Sequence, residues 1–200
     1  MTRNESLAKL LAEIRACRIC ADSLPDGVRP VLRVAETARL CIAGQAPGLR
    51  VHKTGIPYND ASGERLRAWL GIDRDVFYDE AQVAIVPMGF CFPGYDELGA
   101  DKPPRPECAR TWHERLFRAS PRFELILAVG TYAQRYHLHG EARKSMSETV
   151  QAWRDYAPLV IPLPHPSWRN NSWLKKNPWF EIELLPDLRR RVKDALSSER

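Results

Sequence analysis

Four short apolar runs, separated by segments of roughly thirty or more residues, constrain the fold of this chain more than any other feature. Each run has the length and aliphatic content of a buried strand; the four are Leu40–Ala43, Val83–Pro87, Leu125–Val129 and Leu159–Leu163. Apolar residues recur with a helical period between them, as in Gly63–Leu70, Pro106–Ala119 and Thr131–Leu138. Connections of this length allow right-handed crossovers. The pattern therefore predicts an α/β fold, a three-layer α/β/α sandwich with a central four-stranded parallel sheet.

The two ends of the chain add one helix each, about Glu5–Ala16 before the first strand and about Pro186–Leu196 after the last. No internal repeat or low-complexity tract divides the sequence. A hydrophobic content of 44% in 200 residues suffices for one well-packed core, and the chain is too short for two domains that each have such a core. We therefore expect residues 1–200 to form a single domain, with a monomer as the default state.

The chain is mildly basic, with 30 Lys and Arg residues against 25 Asp and Glu residues. This balance suits a partner made of phosphates but does not require one. No apolar run approaches the length that crosses a membrane, and the N-terminal stretch has no apolar signal core. We expect a cytoplasmic protein that associates with the chromosome and not with a membrane.

The turns that follow the predicted strands carry the unusual residues of the sequence. They read GQAPG at 44–48, MGFC at 88–91, GT at 130–131 and HPS at 165–167. Ligands of open parallel sheets bind at the carboxyl ends of the strands, so these turns are expected to meet in one crevice. The small residues and the proline of GQAPG allow a ligand to approach the backbone closely, although this motif alone is equally typical of a plain strand-to-helix turn.

Five cysteines in a reducing compartment indicate metal or cluster ligands before they indicate disulfides. Cys17 and Cys20 form a C-x-x-C pair at the end of the first helix, and Cys91 and Cys108 flank a proline-rich loop. Four thiolates suit either an iron–sulfur cluster or a tetrahedral zinc ion, and the spacing does not separate the two. Alternatively, the two distant cysteines are buried singly. Cys41 lies in an apolar strand and is expected to be a small core residue.

The motifs GQAPG, near the first strand, and HPSWRN, after the last, resemble motifs one and two of the uracil-DNA glycosylase superfamily. The stretch TGIPYNDASG and the four cysteines are similar to its iron–sulfur branches, families four and five. The resemblance extends from about Cys17 to the final helix. It implies a monofunctional DNA glycosylase that flips out and hydrolytically excises uracil, and other deaminated bases, in base-excision repair. It also implies a structural 4Fe–4S cluster on Cys17, Cys20, Cys91 and Cys108, with zinc as the alternative.

Cleavage of an N-glycosidic bond builds positive charge on the sugar and negative charge on the departing base. His165 falls on the motif-two histidine, whose neutral imidazole donates a hydrogen bond to the base anion; alternatively, it caps a loop. Asp60 matches the aspartate of family five, which orients water or offsets the charge on the sugar. An aspartate at this position is equally typical of the N-cap of a helix that starts near Ala61. Asn59 is the alternative candidate for the catalytic role.

The resemblance also assigns a base-binding pocket. Tyr58 offers a flat face for stacking the flipped base, and the remaining predicted contacts are Gly44, Gln45, Ala46 and Met88. Ala46 stands where the classical member of the superfamily has a water-activating aspartate. Pro87 stands where uracil-specific members have an asparagine that reads the uracil edge. Without that amide, the pocket is expected to discriminate less sharply between deaminated bases.

The stretch SWRNNSWLKKNPW interleaves aromatic and cationic residues, a pattern that suits a loop that enters a duplex and grips phosphates. The predicted DNA-binding residues are Ser167, Trp168, Arg169 and Lys175, whereas Trp179 is expected to pack on a helix. Two other functions remain open. One is a non-catalytic binder of uracil-containing or abasic DNA, motivated by Ala46 and Pro87. The other is a zinc- or cluster-stabilised protein that acts on a nucleotide.

Overall fold

The computed structural model describes residues 6–197. Four strands form one sheet in the order β2-β1-β3-β4, and every neighbouring pair is parallel. Their bounds are β1 Leu40–Ala43, β2 Val83–Ile85, β3 Leu125–Val129 and β4 Val160–Leu163. Helices flank this all-parallel sheet, so the predicted α/β fold is confirmed.

Two strands are shorter than the sequence predicts. β2 ends at Ile85, whose N–H and C=O exchange hydrogen bonds of 2.8 and 2.9 Å with Arg33 on the outer edge of the sheet. Pro87 lies two residues further on and has no N–H with which to continue the strand. β4 begins at Val160, one residue later than predicted. Leu159, which is 45% exposed, precedes the buried segment.

Eleven helices are present within residues 6–197, and none of them is long and apolar enough to cross a bilayer. They are α1 Leu7–Arg15, α2 Leu49–Thr54, α3 Ala61–Leu70, α4 Arg74–Tyr78, α5 Pro106–Cys108, α6 Glu114–Ala119, α7 Thr131–His137, α8 Met146–Gln151, α9 Trp153–Tyr156, α10 Asn171–Lys176 and α11 Leu185–Ser197. Short 3₁₀ turns occur at Ala21–Ser23 and Trp168–Asn170, and π-helical segments at Ala109–His113 and Phe180–Leu184. Glu5, the predicted start of the first helix, lies outside the described residues.

The sheet is buried on both faces, which explains why its strands are continuously apolar. Leu40 and Ile42 of β1 belong to a core cluster that includes residues of α3 and α11. Cys41, between them, points to the opposite face and packs in a second cluster with Leu10 and Ile14 of α1. Cys41 is fully buried, as expected of a core residue.

Candidate active site

A cavity of about 680 Å³ lies at the carboxyl ends of the strands. The turns after β1, β2 and β4 contribute to its wall, together with the start of α3 and a loop between β2 and α5. Nine of the predicted site residues line it: Gly44, Gln45, Ala46, Tyr58, Asp60, His165, Ser167, Trp168 and Arg169. Segments that are distant in sequence therefore meet in one space, as is usual at this edge of a parallel sheet.

Of the residues predicted to act on the base or the DNA, three lie outside this wall, although all are within the described part of the chain. Met88 is 5% exposed and packs in a small apolar cluster with Ala43 and Ala128, whereas Pro87 lines the cavity. Asn59 is half-buried next to Asp60, and Lys175 is exposed on α10. The structure therefore gives Met88 a packing role, and it does not place Asn59 or Lys175 at the cavity.

Tyr58 is held rigidly against the turn after β1. Its backbone has φ +53°, and the Tyr78 hydroxyl lies within hydrogen-bond distance of two adjacent carbonyls, that of Pro57 at 2.9 Å and that of Tyr58 at 3.2 Å. Its ring lies edge-on to Phe77, with 6.0 Å between the centroids. A Cβ built on Gly44 would lie 2.6 Å from Tyr58 Oη, so only glycine allows the tyrosine to approach so closely. A fixed aromatic ring thus forms part of the cavity wall.

Asp60 is the N-cap of α3. Its Oδ1 accepts a hydrogen bond of 2.9 Å from the Gly63 N–H, so the expected capping role is present. The same side chain lines the cavity, and its charge raises the pKa of Tyr58 after the larger effect of burial. A carboxylate has two oxygens, so a cap that engages one of them leaves the other for the cavity.

His165 follows β4 and is half-buried in the cavity wall. Burial lowers its pKa below the ordinary value, with Asp60 opposing this effect and Arg169 adding to it. A histidine whose pKa is lowered from 6.5 is neutral at pH 7 and can donate one N–H hydrogen bond. Its backbone is fixed as well, because Asn170 Nδ2 donates to the His165 carbonyl over 2.7 Å.

Three polar residues that the sequence analysis did not single out support this turn. Gln134 Nε2 donates over 2.9 Å to the carbonyl of Leu163, the last residue of β4, and Gln134 is 1% exposed. Arg65 Nη1 donates over 3.0 Å to the Ser167 carbonyl, and Asn170 holds His165. The contacts of Gln134 and Arg65 both depend on the folded chain, and no sequence signal indicates them.

The turn after His165 presents one tryptophan to solvent at the rim of the cavity. Trp168 is 73% exposed, and Arg169 Cζ lies 5.7 Å from the centroid of its ring. Trp173 instead donates its indole N–H to Ser147 Oγ over 2.6 Å. Trp179 packs against Trp173 and a neighbouring phenylalanine, as expected. Of these three tryptophans, Trp168 is the one available to a ligand at the cavity.

The loop between β2 and α5 contributes a part of the wall that no motif indicates. Tyr95, Gly99 and Asp101 line the cavity, and Tyr95 pairs with Asp101 in an antiparallel bridge. The pKa of Asp101 is raised, chiefly by desolvation, with Arg169 opposing the effect and Asp60 adding to it. The cavity therefore has two carboxylates, of which the sequence analysis identified only Asp60.

The four cysteines proposed as ligands influence one another electrostatically. Burial, with a smaller contribution from Cys17 and Cys20, raises the pKa of Cys91 to about 11 and that of Cys108 to about 12. All five cysteines of the chain are free thiols. Within residues 6–197, no three His, Cys, Asp or Glu side chains are grouped so as to hold a metal ion. The four thiols thus share one region without converging on a single point.

A comparison with known protein families gives a match that covers most of the chain. The model of the family described as the Uracil DNA glycosylase superfamily matches residues 33–189. The matched range includes every cavity segment described above, and it leaves Cys17 and Cys20 outside.

Proposed function

The chain belongs to the uracil-DNA glycosylase superfamily, and from this premise we propose that it excises uracil, and other deaminated bases, from DNA as a monofunctional glycosylase. The observation that carries the proposal is the shared cavity, because it joins the turn with Gln45, the Tyr58 ring, Asp60 and His165. A volume of about 680 Å³ is ample for one everted nucleobase and is at the usual size of a ligand pocket.

Binding of the base uses the rigid parts of the wall. The Tyr58 ring supplies a stacking face, and the backbone of Gly44, Gln45 and Ala46 forms the neighbouring edge. Trp168 and Arg169 stand at the rim, where an aromatic ring fills the gap left by the everted base and a guanidinium binds phosphate. The DNA is thereby held on the outside while one nucleotide enters the cavity.

The chemistry depends on charge that appears in the transition state. The neutral His165 imidazole donates a hydrogen bond to the base as its ring becomes an anion. The carboxylate of Asp60, fixed by the cap of α3, offsets the positive charge that develops on the sugar. Both interactions strengthen as the glycosidic bond breaks, which is the requirement for acceleration of the chemical step.

Pro87 supports a broad specificity. It lines the cavity at the end of the second strand, and it has neither a backbone N–H nor a side-chain amide with which to read the edge of uracil. A site without such a donor rejects related bases less strongly. We therefore propose that hypoxanthine, xanthine and ethenocytosine compete with uracil as substrates.

The test incubates the purified protein with labelled oligonucleotides that contain uracil, hypoxanthine, xanthine or ethenocytosine. Release of a free base leaves an abasic site, and alkali then cleaves the strand there. We expect cleavage with uracil and with at least one other base. Absence of release from both single- and double-stranded substrates at high protein concentration would refute the proposal.

A matched pair of histidine variants assigns the chemistry to the cavity. His165→Ala is expected to slow single-turnover uracil release by about 100-fold or more, because the N–H that donates to the base anion is removed. His139→Asn changes an exposed histidine with φ +47°, a conformation that asparagine tolerates, and should leave the rate unchanged. Equal rates for the two variants would contradict the role of His165.

A second function is favoured by Ala46, which lines the cavity where a carboxylate would otherwise stand. On this alternative the protein binds uracil-containing or abasic DNA without cutting it. A gel-shift assay on the same oligonucleotides separates the two functions. Tight binding of the lesion with no strand cleavage after alkali selects the binder.

We also propose that Cys17, Cys20, Cys91 and Cys108 hold a structural 4Fe–4S cluster. In such a cluster each cysteine binds a different iron atom, so its four sulfurs lie further apart than around one zinc ion. The support for a shared site is that Cys17 and Cys20 act electrostatically on both Cys91 and Cys108, so the four thiols lie in one region. The positive charge of Arg18, which lowers the pKa of Cys91, helps to offset the charge of the thiolates.

Such a cluster would connect the segment after α1 to the loop that carries Tyr95 and Asp101, and so would stabilise one side of the cavity. Protein purified without oxygen is expected to contain iron and sulfide and to absorb broadly in the visible range. One zinc per chain in a colourless protein would identify the alternative metal, and metal-free protein would reject both.

A further inference from the structure

A second carboxylate lines the cavity from a part of the chain that no recognised motif covers. Asp101 lies in the loop between β2 and α5, and its side chain approaches the turn after β1. A Cβ built on Gly48 would lie 3.8 Å from Asp101 Oδ2, which is ordinary van der Waals distance. Asp101 therefore faces the same turn that contributes Gln45 to the pocket.

A short hairpin fixes Asp101 in this position. Tyr95 pairs with Asp101 across the hairpin, and the Asp96 N–H donates to the Ala100 carbonyl over 2.8 Å. The Asp96 carboxylate closes the turn by accepting the Ala100 N–H over 2.8 Å. Gly99 completes it with φ +73°, a conformation that favours glycine. The backbone of Asp101 is thus held by the same kind of contacts that order a regular element.

The fold makes no structural use of the Asp101 carboxylate. Asp60 and Asp73 cap helices, and Asp96 closes its own turn. Within residues 6–197, no hydrogen bond or ion pair engages the carboxylate of Asp101, although it lies in a cavity wall next to charged groups. A carboxylate that is positioned but not used by the fold is available to a bound water or substrate.

Asp101 is an exposed residue at the cavity wall, and desolvation there makes it a stronger base than an isolated aspartate. Desolvation raises its pKa, Arg169 lowers it and Asp60 raises it, and the net effect is an increase. Asp60 and Arg169 also act on His165. These four groups therefore face the same space, and a base is most effective when its pKa moves towards the working pH.

We propose that Asp101 is a further catalytic residue of this site, the general base for the attacking water. This inference rests on the proposed glycosylase function. The water oxygen forms a bond to the anomeric carbon while the bond from that carbon to the base nitrogen breaks. The electron pair of the broken bond leaves with the base, whose anion accepts the hydrogen bond from His165. The water proton passes to the Asp101 carboxylate, which later returns it to solvent or to the departing base.

The two aspartates have different roles in this proposal. Asp60 is fixed by the cap of α3 and faces both Asp101 and His165, so it serves as the fixed negative charge beside the sugar. Asp101 has both carboxylate oxygens unengaged within the described chain, so it can turn towards a water molecule and accept its proton. Ala46, which replaces the aspartate of classical members, leaves room for a base that comes from another loop.

The test compares Asp101→Asn with Glu97→Gln, which removes the same charge from an exposed position of the same hairpin. Single-turnover release from a uracil-containing oligonucleotide is measured from about pH 5 to about pH 8, together with Kd for that DNA. We expect Glu97→Gln to match the wild-type rate. Asp101→Asn should be slower by about 100-fold or more and should lose the acid limb of the pH profile. Its Kd should stay within about threefold, because general-base action concerns the transition state alone.

The possible outcomes separate this inference from the proposed function. If wild-type protein releases uracil and Asp101→Asn keeps most of the rate, the inference is wrong and the proposed function stands. If wild-type protein releases no uracil, both are wrong. If Asp101→Asn loses unfolding free energy and DNA affinity together with rate, the residue is structural, and the inference is again wrong. Partial recovery of the rate by Asp101→Glu would support it.

Discussion

Gly44 has no room for a side chain, since a Cβ there would lie 2.6 Å from Tyr58 Oη. The ring cannot withdraw easily, because it packs edge-on to Phe77, and its backbone lies so close to Gly63 that a Cβ there would lie 1.8 Å from the Tyr58 carbonyl. We predict that Gly44→Ala displaces the Tyr58 ring, lowers the free energy of unfolding by about 1–2 kcal/mol and slows uracil excision.

The matched control is Gly48→Ala, in the same turn. Its new Cβ would lie 3.8 Å from the nearest atom, and the backbone φ of −80° suits alanine. Denaturant unfolding should therefore show a change below about 0.5 kcal/mol for this variant. Similar stability for the two alanine variants would show that the ring moves aside freely.

The site residues that stand in short motifs could be predicted from the sequence, whereas those that only the folded chain brings together could not. Asp60 and His165 were named because each belongs to a stretch that resembles a family motif, and both line the cavity. Asp101 lies in a hairpin that has no such stretch, and its place depends on contacts across that hairpin. Met88 does not line the cavity, because the alternation of side chains after β2 places Pro87 there.

At the level of elements, the strands were the most predictable part. Parallel strands covered on both faces must be apolar along their length, so the sequence marks them clearly. The helical spacing of apolar residues is less informative about the local geometry of a helix. The segment 106–119 was predicted as one helix, and it contains the π-helical turn Ala109–His113. A π turn adds one residue to a helical repeat, which apolar spacing over a few turns does not resolve.

The helix α3 offers a way to separate the two roles of Asp60. Asp60→Ala removes the cap and should lower the free energy of unfolding by about 1 kcal/mol, as should Asp73→Ala at the cap of α4. Asp60→Asn keeps a capping oxygen and removes the charge. We expect both Asp60 variants to lose uracil excision and Asp73→Ala to retain it. Full activity of Asp60→Asn would exclude a charge effect.

At the scale of the whole molecule, the two faces of the sheet contribute differently to the site. The face covered by α3 and α11 positions Tyr58 and Asp60, because α3 begins at the cavity wall. The face covered by α1 packs against the region of the cysteines, and Cys108 belongs to its core cluster. A destabilising substitution on that face is therefore expected to disturb the cavity through the loop between β2 and α5, which carries Asp101.

The same side of the sheet contains two buried histidines, and these make the fold sensitive to acid. Burial lowers the pKa of His113 to about 4 and that of His137 to about 3, from an ordinary value of 6.5. Well above pH 6.5 both are neutral in the folded and the unfolded states, so their ionisation does not change the free energy of unfolding. As the pH falls below 6.5, the unfolded chain binds protons that the folded chain does not, and the free energy of unfolding decreases. For His113 alone the full loss is roughly 3 kcal/mol.

We predict that His113→Phe flattens this pH dependence. The His113 ring stacks on Phe90 with 5.2 Å between the centroids, and phenylalanine provides a ring of similar shape that does not titrate. Denaturant unfolding at about pH 7 and about pH 5 should show a smaller decrease for this variant than for wild type, whereas the exposed His139→Asn should decrease as wild type does. His165, whose pKa is also lowered, remains in both variants and contributes equally. An unchanged decrease in His113→Phe would mean that the carboxylates, and not the buried histidines, set the acid sensitivity of the fold.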